Sequence, residues 1–148
     1  MNTCTLPPPS AAGVYINYFL YIKILLGINS DLFLKTDEIY ISVITEIETF
    51  STLRRLLNDK LITKHEFLQL SNEIEKDFQF FTIIDFDESI IILAKNLIIQ
   101  HGLKTLDSIQ LSSALLIKDS IDYFVCCDNR LVTAAKKEKL KIINPLSR

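Results

Sequence analysis

Asn17 follows the apolar run Val14-Tyr15-Ile16, and Glu48 lies about one turn into the segment after Ser42. Asp107 opens the segment Leu106 to Leu116, and Asp128 directly follows Tyr123-Phe124-Val125-Cys126-Cys127. Three of these four residues are acids. In an open α/β sheet, chemistry collects outside the carboxyl ends of the strands, which is where this pattern places them. Gathered at one edge, hard oxygen donors repel one another unless a cation lies between them. Magnesium or manganese is the natural occupant. Such a cation lowers the pKa of a bound water and neutralises the charge that develops when a phosphodiester is attacked.

Each acid also has a structural explanation that the sequence leaves open. Thr45-Glu46-Ile47-Glu48 matches a capping box, in which Glu48 would only bond back to the helix start. Asp107 in a first turn would complement the helix dipole, and Asp128 before Asn129 would serve as an N-cap or Asx turn. Asp85, Asp87 and Glu88 form the densest acidic cluster, and their place between a strand and a helix suits capping. His65 and His101 have no partner at metal-ligand spacing, which argues against zinc. Cys126-Cys127 lacks the CxxC spacing of redox sites and reads as core filling. No GxGxxG, Walker A or GxSxG sequence is present, so a phosphoacceptor or nucleotide-binding domain with a glycine phosphate loop is disfavoured.

The elements that must position these residues alternate. Strands are predicted at Val14 to Asn17, Ile39 to Ser42, Phe80 to Ile84, Tyr123 to Cys127 and Lys141 to Ile143. Helices are predicted from there to Leu26 with Gly27 ending the first, over Ile44 to Leu57, over Thr63 to Phe78, to Gln100 with Gly102 closing it, over Thr105 to Lys118, and over Asn129 to Lys139. Such alternation implies an α/β fold of three layers, with a central, mostly parallel sheet flanked by helices.

At 148 residues the chain has room for one domain. Hydrophobic residues make up 49% and charged residues 23%, which excludes a collagenous or wholly disordered chain. Pro7, Pro8 and Pro9 make residues 1–10 a loose leader, and residues 11–148 form the single domain, with no proline between Pro9 and Pro145. The apolar run 11–28 has no basic residue before it and contains Asn17 and Lys23, so it reads as a buried strand and helix, not as a signal peptide or membrane span. Three cysteines make no disulfide framework, which fits a reducing, cytoplasmic setting.

A net charge of -2 excludes binding to nucleic acid by bulk charge, so contact with RNA requires a local patch. Residues 129–148 supply one: Arg130, Lys136, Lys137, Lys139, Lys141 and Arg148 against Glu138 alone. These cations, with Arg54 and Arg55, are candidates to bind an RNA backbone beside the acids; the alternative is a solvated lysine-rich helix.

The segment Thr105-Leu106-Asp107-Ser108-Ile109-Gln110-Leu111-Ser112-Ser113-Ala114-Leu115, with Phe124 to Leu131, Ala134-Ala135 and Lys141 to Pro145, resembles the C-terminal half of a PIN domain. Ile41 to Glu48, with Ser51 and Leu53 to Arg55, is similar to the segment that carries that family's glutamate. The family includes the VapC ribonucleases of toxin-antitoxin pairs. The resemblance implies that Asp107 and Asp128 bind Mg2+ or Mn2+ and that Glu48 holds the attacking water. It further implies an RNA substrate, a homodimer and a small antitoxin partner. Asn17 stands where the family usually has an aspartate, as a neutral ligand that brings no charge. Two functions are therefore expected: a metal-dependent endoribonuclease weakened by Asn17, or a catalytically degenerate module that binds RNA or a protein.

Overall fold

The first strand, β1 (Gly13–Ile16), is apolar throughout and buried throughout, as a strand covered on both faces must be. The computed structural model describes residues 13–17 and 36–144. Within them, β1 is the centre of a five-stranded sheet with β2 (Glu38–Ser42), β3 (Thr82–Ile84), β4 (Tyr123–Val125) and β5 (Ile142–Ile143), in the order β3-β2-β1-β4-β5. Every pairing is parallel. Parallel neighbours need crossovers, and helices provide them. α1 (Val43–Asn58) and α2 (Lys64–Phe78) join β2 to β3; α3 (Glu88–His101) and α4 (Thr105–Leu116) join β3 to β4; α5 (Asn129–Lys137) joins β4 to β5.

The two-residue period of the strands sorts the core into two layers. Val14, Ile16, Ile41, Val125 and Ile143 meet Leu53 of α1 and Ile74 and Phe78 of α2. Tyr15, Phe124 and Cys126 meet Leu97 of α3, Leu111 and Ala114 of α4, and Leu131, Ala134 and Ala135 of α5. The rings of Tyr15 and Phe124 stack with centroids 5.4 Å apart. The expected three-layer α/β architecture is therefore present, with the cysteine at 126 in the core.

Local signals account for the boundaries. Ser42 caps α1 by accepting from the Ile44 N–H, Thr63 and Glu66 form a reciprocal capping box on α2, and Asp87 accepts from the Ile90 N–H to start α3. Gly102 ends α3 in the left-handed conformation, with φ of 64°. His101, in the last turn of α3, pairs with Glu138 at 2.7 Å and ties that helix to the end of α5.

Several predicted elements are longer than the observed ones. Phe80 is 83% exposed, and its N–H donates to the Asp77 carbonyl in the turn that ends α2. The strand starts only at Thr82, where pairing with Tyr40 of β2 begins, so the aromatic residue belongs to the turn. α4 stops at Leu116 and α5 at Lys137, and β4 leaves Cys126 and Cys127 beyond its end. The predicted helix ending at Gly27 and the leader 1–10 lie outside the described residues. Among the described residues no helix is long and apolar enough to cross a membrane.

Backbones approach closely at Gly13. A Cβ built there would sit 2.6 Å from the Ser120 carbonyl oxygen and 3.0 Å from a ring carbon of Tyr40. Gly13→Ala should therefore cost about 1–3 kcal/mol, the usual range for forcing extra volume into a packed site. Chemical denaturation measures this; an unchanged midpoint would mean that the segment around Ser120 yields freely.

Candidate functional site

The strand order reverses at β1: the chain runs outward through β2 and β3, then returns to build β4 and β5 on the other side. In open parallel sheets, ligands are commonly bound outside the carboxyl ends of the strands at such a switch point. Asn17 is the first residue after β1, and Asp128 follows β4 after Cys126 and Cys127. These are the two strands that flank the divide. α1 leaves the same edge from β2 and carries Glu48 in its second turn, while α4 presents Asp107 in its first.

Glu48 is buried, 9% exposed. It does not form the capping box that its local sequence allows, because α1 begins at Val43 under the Ser42 cap and Thr45 is already inside the helix. Its partner is Gln110 of α4, whose amide Nε2 donates to Glu48 Oε2 at 3.3 Å and to Thr45 Oγ1 at 3.1 Å. Burial pushes the Glu48 carboxyl up to about 7, against the Gln110 hydrogen bond that favours the ion; the charge of Asp107 adds to the rise.

Asp107 is half-buried, and its carboxyl too is raised, first by burial and then by the charge of Asp128. Lys104 and Arg130 oppose that rise. Lys104, at the N-cap of α4, makes no side-chain cap hydrogen bond, so Asp107 adds charge at a helix start without taking over its capping. Asp128 does act as a cap, accepting the Leu131 N–H at 2.9 Å. Asn17 is buried, 3% exposed; its amide Nδ2 donates to Cys126 Sγ at 3.6 Å and its backbone N–H to the Val125 carbonyl.

The expected basic patch divides. Arg130 is one of the two cations that act on Asp107. Lys136 and Lys137 lie in the last turn of α5, eight and nine residues past Asp128, or about 12–14 Å along the helix. Because β4 and β5 are parallel, α5 must carry the chain back to the opposite edge, and these lysines go with it. Lys139 and Lys141 line a cleft there with Lys118. Arg54 and Arg55 are exposed near the end of α1, six and seven residues beyond Glu48. Lys104 is the cation near the acids that charge runs in the sequence did not reveal. Gln110 was missed as well, because it is one of four buried polar residues on α4 and nothing in their spacing singles it out.

These donors suit a hard divalent cation in kind. Asp107 and Asp128 offer anionic oxygens that repel each other when no cation lies between them, and Asn17 offers a neutral amide. Among the described residues no three His, Cys, Asp or Glu side chains come together as a metal-holding group. Glu48 has Gln110 as its hydrogen-bond partner.

The raised acids fix the sign of a pH effect. Glu48 has a higher pKa in the folded chain than the roughly 4.3 of an unfolded glutamate, so the folded state binds its proton more tightly. The resulting cost is absent below about pH 4 and complete above about pH 7. Glu48→Gln should raise stability at pH 8 by about 1–2 kcal/mol after solvent screening, and leave it nearly unchanged at pH 4. Melting curves at the two pH values decide it; equal gains at both would exclude an electrostatic cause.

A comparison with curated protein sequences finds no match. Among solved structures, a toxin-antitoxin complex from Klebsiella pneumoniae superposes with a TM-score of 0.69 at 15% identity, covering 91% of this chain and 99% of that one. FitAcB from Neisseria gonorrhoeae gives 0.68 at 18% identity, with 91% and 99% covered. VapBC2 from Rickettsia felis, bound to a DNA fragment from its promoter, gives 0.63 at 17% identity, with 89% and 98% covered. At these identities the likeness is one of fold. The family profile of the PIN domain matches residues 21–137, well over half of the sequence, and the chain therefore belongs to the PIN domain family.

Proposed function

We propose that the protein is a divalent-metal-dependent endoribonuclease, the cytoplasmic toxin of a toxin-antitoxin pair, working below full strength because residue 17 is an asparagine. The observation that carries this reading is the placement of acids from three separate elements at the switch point: Glu48 buried in α1, Asp107 half-buried in the first turn of α4 and Asp128 at the start of α5, with Glu48 and Asp107 raised first by burial and then by a neighbouring acid. Asp107 and Asp128 would hold Mg2+ or Mn2+, with Asn17 as a neutral ligand. When bound, the cation would acidify a water and neutralise charge on the attacked phosphodiester. Glu48, with its pKa near neutrality, orients the attacking water and accepts its proton. Arg130 and Lys104 bind RNA phosphate beside Asp107. Arg54, Arg55, Lys136 and Lys137 lie farther along their helices and would touch only flanking nucleotides.

Structures of similar fold are toxin-antitoxin complexes, which supports a small antitoxin as partner. A homodimer is supported by α3, where Ile92 and Ile99 lie seven residues apart on one helix face and are 51% and 82% exposed. The second reading, a degenerate module that binds RNA or protein without cutting, is favoured by Asn17, whose amide donates to Cys126 Sγ.

Calorimetric titration with Mn2+ alongside cleavage of a structured RNA separates the two. Asn17→Asp should tighten Mn2+ binding by at least the roughly 10 to 100-fold that groups one layer further from a metal contribute. Wild-type cleavage that Asp107→Asn abolishes supports the nuclease. A silent wild type with a cutting Asn17→Asp variant establishes the disarmed module. If neither protein binds Mn2+, the metal site is wrong.

A further inference from the structure

We infer that Gln110 is the positioning residue for the Glu48 carboxylate, and that Tyr15, in the central strand, sets which end of the Gln110 amide faces it. The inference rests on the nuclease reading of Glu48. Tyr15 O–H donates to Gln110 Oε1 at 2.6 Å. The other end of that amide, Nε2, donates to both Thr45 Oγ1 and Glu48 Oε2. Both amide protons and the carbonyl are thus engaged, and every step of the chain donates toward the carboxylate.

The direction matters because the two ends of a glutamine amide are nearly equal in shape and opposite in hydrogen bonding. A half-turn would set a carbonyl oxygen against a carboxylate oxygen, acceptor against acceptor. The phenol hydroxyl holds Oε1 on the strand side and so keeps the donor end on Glu48. Burial makes this arrangement strict. Tyr15 and Thr45 are 0% exposed and Gln110 is 1% exposed, so bulk water is excluded from their places. Burial also keeps the Tyr15 phenol protonated, its pKa raised far above the usual value, so it remains a donor at any working pH.

Packing gives no reason for the hydroxyl. Tyr15 belongs to an apolar layer and its ring stacks on Phe124, a role that phenylalanine would fill equally well. Ser42 and Ser113 also act on that oxygen, but its proton goes to Gln110, and Gln110 in turn donates to Glu48. Glu48 stands on α1 and Gln110 on α4, so the amide also registers the helix that carries the water-holding acid against the helix that carries Asp107.

The test uses the full chain, first without metal, by following the side-chain amide signals of Gln110 in nitrogen-15 NMR spectra. In the wild type the two amide protons should be distinct, slow to exchange, and displaced by Glu48→Gln. Tyr15→Phe, which removes a single oxygen, should abolish that response to residue 48. In Mn2+ the same variant should lower kcat on RNA by roughly 10-fold, the lower end of what supporting hydrogen bonds contribute, with KM within about twofold. Gln110→Leu should be at least as slow, and adding Tyr15→Phe to it should cause no further loss, since the tyrosine acts only through the amide. Gln110 signals and kcat that Tyr15→Phe leaves unchanged overturn the inference. Losses in the double variant that multiply overturn the Tyr15 link. Coupled Gln110 and Glu48 signals in a wild type that cuts no RNA uphold the clamp and overturn the nuclease reading.

Discussion

A strand with neighbours on both edges and helices over both faces leaves its side chains no water, and β1 is that strand. Two consequences reach the site. The hydroxyl of Tyr15 must find its partner inside the protein, because an unpaired buried O–H costs roughly 1–3 kcal/mol, and it finds Gln110. The residue that ends β1, Asn17, must emerge at the divide between the two halves of the sheet, beside the residues that follow β4. With a side-chain period of two, a slip of one residue would exchange Tyr15 with Val14 or Ile16 and face the hydroxyl toward α1 and α2. The register of one four-residue strand therefore fixes both the support of Glu48 and the floor of the crevice.

The acids at that edge are arranged at a cost, which separates them from acids that serve the fold. Glu66 supplies the internal comparison. It completes a capping box with Thr63, and the hydrogen bonds to Thr63 lower its carboxyl. Glu48 and Asp107 move the other way, raised by burial and by their charged neighbours. A helix-start charge gains only about 0.3–1 kcal/mol from the dipole, and the cap at Asp128 would be made as well by an uncharged serine or asparagine. Neither gain requires the acids to be close enough to raise one another. Concentrated negative charge in a half-buried crevice has a purpose when a cation or a proton is to be held there.

The alternation of strands and helices was legible because caps and period-two runs are local. Asp87 and Gly102 start and end α3 where their types predict, whereas α1 starts under Ser42 and not at the capping box that Thr45 and Glu48 suggest. The places of Asp107 and Asp128 at helix starts were legible for the same reason, since each stands at an element boundary. What escaped was set by tertiary contact. The turn that holds Phe80 was mistaken for strand because aromatic and β-branched residues fit a pleated surface wherever one is offered. The lysines of α5 looked close to Asp128 in sequence, and the helix carries them to the far edge. Gln110 is the clearest loss: α4 is buried nearly all round, with Ser108, Gln110, Ser112 and Ser113 among its buried residues, so no polar face marks which of them points at chemistry. The serines bond to their own helix carbonyls, and the glutamine reaches both Glu48 of α1 and Tyr15 of β1.

Asn17 gains its meaning from the same electrostatics. An aspartate there would place one more negative charge in a crevice where Glu48 and Asp107 already carry raised carboxyls. It would also face Cys126, whose thiol burial pushes up to about 12, so that it stays a neutral thiol. The amide avoids both conflicts, because its N–H donates to the Cys126 sulfur without needing a counter-charge. On the proposed nuclease reading, an asparagine at 17 therefore favours the metal-free fold and disfavours a cation, by one and the same lack of charge. That is the trade expected where stability and a charged site compete. On the proposed reading, Asp107, Asp128 and the Gln110-supported Glu48 would then be short by one ligand charge, while the fold that would position that charge is intact.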